Sequence, residues 1–600
     1  MFDVSETVAD DLVNRLLEWG CDTVYGYPGD GINGLLGALE RTEGKLRFIQ
    51  TRHEEMAAFM AGAHAKFTGS VGVCTATSGP GAIHLLNGLY DAKLDHTPVV
   101  AIVGQTFVSA MGGDMQQEVD LLSLYKDVAS AYVQQVNTPS ALHHCIDRAL
   151  RIAQAERTVT AVIIPADVQE MKAVPVQKPG LKSVHSGVGF VHTRVLPDPA
   201  DLDRAADVLN SAERVAILAG AGALDATDEL IAVADILGAG IAKALLGKAA
   251  VPDDIPFCTG PIGLLGTKPS WDMMQNADAL LMIGSSFPYS NFLPPLGKAR
   301  GVQIDISPRQ LSIRYPMEVM LCGDAKATLQ ELMPKLKRKT ERAWQERIVS
   351  DVEAWWQLME SRAQPEVRDG RLQPQQLFAS LSRHLPDNAI ISADSGSGTN
   401  WFARQVKLRR GMKASLSGNL ATMLPGVPYA IAAKFAFPDR PAIAVVSAGA
   451  MQMGGMAETL TAAKYYRTWK DPRLVVFVLN NEDLNQVTWE QRVMAGDPKF
   501  EASQVIPYVP FEQWAEMIGL RGIKVDSPEQ VDSAWEQAFS ADRPVIINAI
   551  TDPEEPPLPP HVTVEQAKSM SESVLKGDPA GLRDMVTAMR EKVQEFVPGR

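Results

Sequence analysis

The residues with the most chemical promise lie between Ala442 and Trp489. An alanine and β-branched run, Ile443 to Val446, gives way to Ser447-Ala448-Gly449, and helical apolar spacing follows through Met456, Leu460 and Ala463. That pattern predicts strand, turn and helix. A second apolar run, Leu474 to Leu479, predicts a buried parallel strand that stops at the polar group Asn480-Asn481-Glu482-Asp483. In an open parallel sheet the two strand ends lie side by side, and ligands bind just beyond them. The unpaired N–H groups of the helix start suit an anion. The second prominent group is Glu54, in Arg52-His53-Glu54-Glu55, where a strand pattern runs into a helix. A carboxylate there serves either as an acid–base group or as a helix N-terminal anion favoured by the dipole.

Such residues need a scaffold of several domains. The chain has 600 residues, and single cores rarely grow past about 250–300 residues. With 46% hydrophobic and 21% charged residues, the composition is that of an ordinary globular protein. A net charge of -14 and the lack of a basic run give no electrostatic footing for nucleic acid. No apolar run reaches about 18–20 residues, so no transmembrane segment is expected. Cys21, Cys74, Cys145, Cys258 and Cys322 are scattered without a C-x-x-C pair. This argues against zinc or a disulfide framework and for a reduced, cytoplasmic setting. The acidic, amphipathic N-terminus is unlike a signal or transit peptide.

Helical and strand patterns alternate throughout, which predicts an α/β class with mostly parallel sheets. The units read as residues 1–185, 195–335 and 370–550, followed by a tail, 551–600. The stretch from Lys178 to Pro199 lacks periodicity and reads as a linker. In the first unit Ser5-Glu6-Thr7 precedes an amphipathic helix, and a strand from Gly72 to Thr77 ends in Ser78-Gly79-Pro80-Gly81. Gly79 and Gly81 permit backbone approach to a ligand, or simply make a tight turn. In the second unit Arg214 to Leu218 runs into Gly220-Ala221-Gly222, a fragment of a dinucleotide fingerprint that is weak alone. In the third, Ala389 to Asp394 ends at Ser395-Gly396-Ser397-Gly398.

Together these segments resemble the thiamine-diphosphate enzymes, in the flavin-containing branch of the pyruvate oxidases and acetolactate synthases. The family fingerprint is Gly-Asp-Gly followed further along by Asn-Asn. The resemblance implies that the Asp, the second Asn and a carbonyl two residues on hold the Mg2+ that bridges the diphosphate. Asn481 and the carbonyl of Asp483 match, but Ala448 stands where the Asp is expected. A hard cation wants anionic oxygen, so weakened metal binding is expected. The diphosphate itself is expected on Gly449, Ala450 and Met451.

The same resemblance makes Glu54 the residue that hydrogen-bonds the aminopyrimidine ring and promotes loss of the thiazolium C2 proton. Gly79, Pro80, Gly81 and Asn87 match the pyrimidine-binding domain, with His84 and Asp91 in the same run. Met115 to Glu118 fall at the substrate pocket, where pyruvate oxidases carry an aromatic residue in place of Met115. The alternative for Met115 is a gap filler. Gly396 and Ser397 line the cofactor, and Met423 props it in its bent shape. Val487 and Glu490 fall where related oxidases have an apolar wedge and a pocket carboxylate. Glu54, Met423 and Glu490 are therefore the catalytic candidates, although Glu490 also fits an exposed helix position.

Four further pieces resemble the flavin-binding middle domain: Lys243 to Lys248, Thr259-Gly260 with Gly263-Leu264, Ser285 with Phe287-Pro288, and Asp305-Ile306 with Asp324-Ala325. The resemblance implies that they and Gly220 and Gly222 line an extended FAD, with Asp305 at its ribose or adenine. Middle domains without flavin also exist, where the same strands are only a sheet core. The tail is proline-rich through Pro560, and Leu582, Met585, Val586, Met589, Val593 and Phe596 share one helical face. That face predicts a helix that closes over a site or docks on a partner, ahead of one lying on a membrane surface.

The expected architecture is thus three doubly wound domains: pyrimidine-binding, central FAD-type and diphosphate-binding. In the family the cofactor lies between the first domain of one subunit and the third of another, which implies a homodimer or homotetramer. The expected activity is oxidation and decarboxylation of pyruvate or a similar 2-oxo acid, with FAD and thiamine diphosphate. The alternatives are an acetolactate-synthase-like carboligase, a flavoenzyme that has left thiamine chemistry, and a silent assembly or regulatory subunit. Ser447-Ala448 also fits a change introduced to silence the site.

Overall fold

The computed structural model describes residues 6–174, 184–365, 367–368, 370–557 and 564–578. Three six-stranded sheets follow one another along the chain. The first contains β1 (Thr23–Gly26), β2 (Arg47–Gln50), β3 (Gly72–Ala76), β4 (Val99–Gln105), β5 (Val133–Gln135) and β6 (Val159–Pro165), in the order β2-β1-β3-β4-β6-β5. The second contains β7 (Val215–Ala219), β8 (Gly240–Lys243), β9 (Cys258–Pro261), β10 (Ala279–Ile283), β11 (Arg300–Asp305) and β12 (Val319–Cys322), in the order β12-β11-β10-β7-β8-β9. A short antiparallel pair, β13 (Val367–Arg368) and β14 (Arg371–Leu372), leads to the third. That sheet holds β15 (Ile390–Ala393), β16 (Lys413–Leu416), β17 (Ala442–Ser447), β18 (Leu474–Asn480), β19 (Arg521–Val525) and β20 (Val545–Ile550), in the order β16-β15-β17-β18-β20-β19. Every pairing within the three sheets is parallel. The chain is therefore an α/β protein of three doubly wound units.

The continuous apolar runs that form β4, β6 and β18 are buried along their whole length, as expected of strands covered by helices on both faces. Each sheet reverses its direction of growth at an interior pair: between β1 and β3, between β7 and β10, and between β15 and β17; in the first and third sheets the last strand also turns back, β6 and β20 entering beside β4 and β18. A doubly wound sheet opens a ligand crevice at such a reversal, outside the carboxyl ends of the strands.

The first and third units share one apolar core. Its centre is the contact between helices Glu54–Thr68 and Gly426–Ala436. Both are rich in alanine and apolar on nearly every side, the signature of a helix with no solvent face. The Lys66 ammonium lies in this interface and donates to Asp95 at 2.7 Å, Tyr429 Oη at 2.7 Å and the Leu416 carbonyl at 2.9 Å. The middle unit is pinned to the third by a buried ion cluster. Lys243 Nζ is 2.7 Å from Asp253, and Asp253 in turn accepts the Leu408 N–H at 2.8 Å. Lys248 donates to the Ala403 carbonyl at 3.0 Å, and burial pushes its ammonium down to about 8.

The N-terminal helix is Val8–Glu18, capped by Thr7 and Asp10 in a reciprocal capping box. Residues 184–198 carry neither helix nor strand, as a linker requires. The helix Val564–Leu575 is part of the tail, whereas the expected apolar face from Leu582 to Phe596 lies outside the described residues. Among the described residues no helix is long and apolar enough to cross a membrane. The five cysteines are free.

Candidate functional site

The reversal between β15 and β17 gathers the third unit's candidates. β17 and β18 are paired with Ser447 opposite Leu479, so the Ser447-Ala448-Gly449 turn and the Asn481-Glu482-Asp483 loop leave the sheet side by side. Gly396, at φ +132°, faces Ser447: a Cβ there would lie 3.6 Å from the Ser447 hydroxyl. Helix 448–465 starts at Ala448 and is interrupted by a π turn, Met451–Gly455. Gly449 is enclosed, since a Cβ on it would lie 2.7 Å from Leu484 Cδ2 and 3.3 Å from Met423 Cε. Met423 therefore reaches the turn expected to carry the diphosphate.

The Asn-Asn loop is turned by Glu482, whose φ is +56°. Asn481 Oδ1 accepts the Asp483 N–H at 3.2 Å. The Asp483 carboxylate is paired with Lys499 and accepts the Thr488 hydroxyl at 2.6 Å; burial nonetheless raises its pKa. Ala448 is fully buried. The oxygens that the resemblance assigns to a metal here are a neutral amide, which already accepts the Asp483 N–H, and a main-chain carbonyl. That donor set does not fit Mg2+, which gives up water reluctantly and takes carboxylates.

In the first unit Glu54 opens its helix, is buried, and lies 3.0 Å from His84 Nδ1. His53 caps the same helix by accepting the Glu55 N–H at 3.3 Å, and its ring stacks against His84 at 4.4 Å. The ligand-capable atoms of His53, Glu54 and His84 fall within 4.8 Å of one another. A cation there would face the positive end of the helix and would take His53 Nδ1 from its N–H partner. The cluster instead suits a carboxylate steadied by an imidazole.

Gly79 and Gly81 flank this carboxylate. Gly79, at φ +60°, has Gln117 against it, and a Cβ on Gly81 would lie 3.2 Å from Glu54 Oε1. Pro80 begins the helix Pro80–His84. Asn87 donates to Glu55 and, at 3.1 Å, to the Thr422 hydroxyl, which ties the first unit to the residue before Met423. Met115 is exposed, in a loop held by Glu118, whose carboxylate accepts N–H bonds from Gly112 at 2.6 Å and Met115 at 3.1 Å. Val487 and Glu490 are both exposed on helix Asn485–Glu490, and Glu490 accepts from Gln486 at 2.9 Å.

In the middle unit the glycine turns interlock at the reversal between β7 and β10. A Cβ on Gly220 would lie 2.3 Å from the Gly284 carbonyl oxygen, and one on Gly222 would lie 2.8 Å from Gly284 Cα. These glycines are accounted for by backbone packing without a ligand. Thr259 donates to the Ile241 carbonyl at 3.1 Å, and Ser285 accepts the Phe287 N–H at 3.2 Å. Asp324 caps the helix that begins at Ala325 by accepting the Ala327 N–H at 2.8 Å, which a helix pattern after Asp324 could have signalled. Gly260 and Gly263 have positive φ, with Thr267 and Phe287 against them. Asp305 closes β11 and accepts the Ser307 N–H at 2.8 Å; burial raises its pKa. Leu264, Pro288 and Ile306 are exposed around the same end of the sheet. The unit thus offers a crevice edge with apolar residues and one carboxylate, and much of the polar set expected for FAD is internally satisfied.

The roles of two groups were invisible in the sequence. Asp394, at the end of β15, accepts N–H bonds from the loop that carries Met423. Arg404 reaches across to the Leu264 and Gly266 carbonyls at 2.8 and 3.2 Å. Asp394 closes the strand that runs into the Gly396 turn, but nothing local marks it as an anchor for a distant loop, and Arg404 belongs to no periodic or glycine-marked pattern.

Comparison with known proteins gives the same three-part division. The N-terminal TPP binding domain of the thiamine pyrophosphate enzymes matches residues 6–124, the central domain matches 202–332, and the C-terminal TPP binding domain matches 394–549. The chain is 37% identical over 573 residues to the "Putative thiamine pyrophosphate-containing protein YdaP" of Bacillus subtilis, covering 95% of this chain and 96% of that one. It is 30% identical to a pyruvate oxidase of Lactiplantibacillus plantarum, over 92% of this chain and 89% of the relative. It is 29% identical to a probable acetolactate synthase large subunit of Methanococcus aeolicus, over 91% and 92% respectively. The chain belongs to the thiamine pyrophosphate enzyme family.

Proposed function

We propose that this protein oxidises and decarboxylates pyruvate or a similar 2-oxo acid, with thiamine diphosphate and FAD, as a cytoplasmic homodimer or homotetramer. The observation that carries this reading is Glu54: a buried carboxylate at a helix start, flanked by Gly79 and Gly81 and steadied by His84. When bound, thiamine diphosphate supplies the carbon nucleophile and electron sink, and FAD accepts two electrons.

The protein's own residues act around those groups. Glu54 holds a proton at the aminopyrimidine ring nitrogen, and His84 fixes the carboxylate's orientation. Met423, beside Gly449, would support the cofactor there. Gly449 and Ala450 would present backbone N–H groups to the diphosphate, whereas the Met451 N–H, expected to join them, is taken by the Ala448 carbonyl. Gly396 and Ser397 line the crevice opposite Ser447. Glu490 and Val487, exposed on one helix, border the substrate. Asp305, with Leu264 and Ile306, forms the flavin edge.

Ala448 favours a second reading, a flavoenzyme or silent subunit without thiamine chemistry. The relative named an acetolactate synthase supports a third, carboligation. One experiment separates them. Purified protein, its denatured supernatant scanned for released flavin, is incubated with pyruvate, thiamine diphosphate and Mg2+, and acetate and acetolactate are quantified. Flavin with acetate, formed slowly by the natural chain and faster by Ala448→Asp, is the expected result. Flavin with acetolactate selects the carboligase, flavin with neither selects the second reading, and a colourless protein that takes up no added FAD removes the oxidase.

A further inference from the structure

Met423 stands in a loop with two non-glycine residues of left-handed backbone, Ala421 at φ +53° and Leu424 at φ +95°. A leucine at such a φ is strained, and the conformation persists only where neighbouring groups impose it. The imposing group is Asp394. Its Oδ1 accepts the Leu424 N–H at 3.0 Å and its Oδ2 accepts the Gly426 N–H at 2.9 Å. The two bonds grip the chain on either side of Pro425, which has no N–H to give. Gly426 permits the approach, because a Cβ there would lie 2.6 Å from Val446 and 2.9 Å from Asp394 Oδ2.

Burying this carboxylate is costly, and desolvation lifts it to about 7 against the opposing pull of the Gly426 and Leu424 N–H groups. A buried carboxylate in that position earns its place through those N–H bonds. The loop it holds delivers Met423 to Gly449, where Cε would lie 3.3 Å from a Cβ on the glycine.

We infer that Asp394 is a positioning residue: by holding the Leu424 and Gly426 N–H groups it fixes the Met423 loop against the Gly449 turn, and so sets the affinity of the site for thiamine diphosphate. The clause about affinity rests on the function proposed above; the clause about the loop does not.

The test uses the full chain. Hydrogen exchange without cofactor, followed by mass spectrometry at pH 8, compares the natural protein with Asp394→Ala and Asp394→Asn. The segment 421–426 is expected to exchange roughly tenfold faster or more in both variants, while β17 keeps its protection. Thiamine diphosphate and Mg2+ are then titrated calorimetrically into Ala448→Asp protein with and without Asp394→Asn. The expected result is a Kd raised about tenfold, with Met423→Ala adding less to it than it does alone, because the two residues act through one loop.

Unchanged exchange at 421–426 in Asp394→Asn overturns the inference. So does an equal loss of protection across β17, which makes Asp394 a general support of the sheet. Faster local exchange with unchanged affinity overturns the affinity clause. Faster local exchange with no cofactor binding to any variant leaves the loop assignment standing and removes the thiamine reading. Should Asp394→Ala fail to fold, the Asn variant decides.

Discussion

His84 Nδ1 lies 3.0 Å from Glu54 Oε2, close enough for the imidazole to aim the carboxylate. Glu54 is buried and at a helix start, so its direction is set by its backbone and by this one ring nitrogen. His84 is exposed on the other side, which leaves the pair open to a ligand. An acid–base carboxylate and a residue that orients it should differ in what their loss does.

Glu54→Gln is expected to lower 2-oxo acid turnover at least about a hundredfold, the usual scale for a lost acid–base group, without changing the unfolding temperature by more than a few degrees. His84→Ala is expected to cost roughly tenfold, seen in kcat more than in KM, because it affects the reacting geometry and not uniform binding. Both are read from steady-state kinetics in the Ala448→Asp background. Equal turnover in Glu54→Gln and its parent would remove Glu54 from the chemistry.

A second prediction concerns the tail. Arg492 is fully buried and donates to Asp578 through Nε at 2.8 Å and Nη2 at 3.0 Å, and to Glu554 through Nη1 at 2.7 Å. Its guanidinium also lies over the Trp489 ring, next to Glu490. Removing one partner from a buried ion pair costs on the order of 3 kcal/mol. Asp578→Ala is therefore expected to release the tail, seen as faster proteolytic cleavage beyond Thr551 with the sheets intact. Cleavage at the natural rate would show that the pair does not hold the tail.

A third follows from Glu458, whose Oε2 accepts the Arg52 N–H at 3.0 Å across the junction of the first and third units. Burial raises this carboxyl from 4.5 to about 7, only partly offset by Thr461 and Arg52. Between those values the folded protein holds a proton that the unfolded chain has lost, so folding stability falls as pH rises from about 4.5 to about 7 and levels off above. The full difference is at most on the order of 3 kcal/mol. Glu458→Gln removes this dependence. The variant should match the natural protein in urea at pH 5 and exceed it at pH 8. A variant less stable at pH 8 would contradict the sign.

How much of this was legible beforehand follows from what each pattern reports. The apolar runs from Leu474 and Ile443 announced adjacent buried strands because burial on both faces leaves an unbroken hydrophobic signature. Gly220 and Gly222 were expected to line a flavin; what lies against them is the Gly284 turn, since a glycine permits a close approach without saying to what. Asp324 was expected along the flavin, and its carboxylate is engaged as a helix cap. Asp394 was visible only as the end of a strand and its role carried no signal, because its two N–H partners are set by the path of a loop more than two dozen residues away, and no local spacing encodes that path.

The last prediction turns on Ala448. The turn that bears it is enclosed by Leu484 and Met423, and the neighbouring loop, which follows the paired strand, offers as expected metal ligands only the Asn481 amide and the Asp483 carbonyl, both neutral. Mg2+ exchanges water for such ligands reluctantly, so the natural chain is expected to bind thiamine diphosphate with Mg2+ weakly. Ala448→Asp restores an anionic oxygen beside the diphosphate turn. Ser447→Gly alongside it removes a side chain at the strand end that faces Gly396. Calorimetric titration of both proteins should show a Kd lowered at least about tenfold by the aspartate, which corresponds to roughly 1.4 kcal/mol. The gain should vanish when EDTA replaces Mg2+, since the added carboxylate repels the diphosphate unless a cation lies between them. If the natural chain binds as tightly as Ala448→Asp, the metal argument is wrong. If neither binds, the thiamine reading is removed, and the flavoenzyme and silent-subunit readings stand.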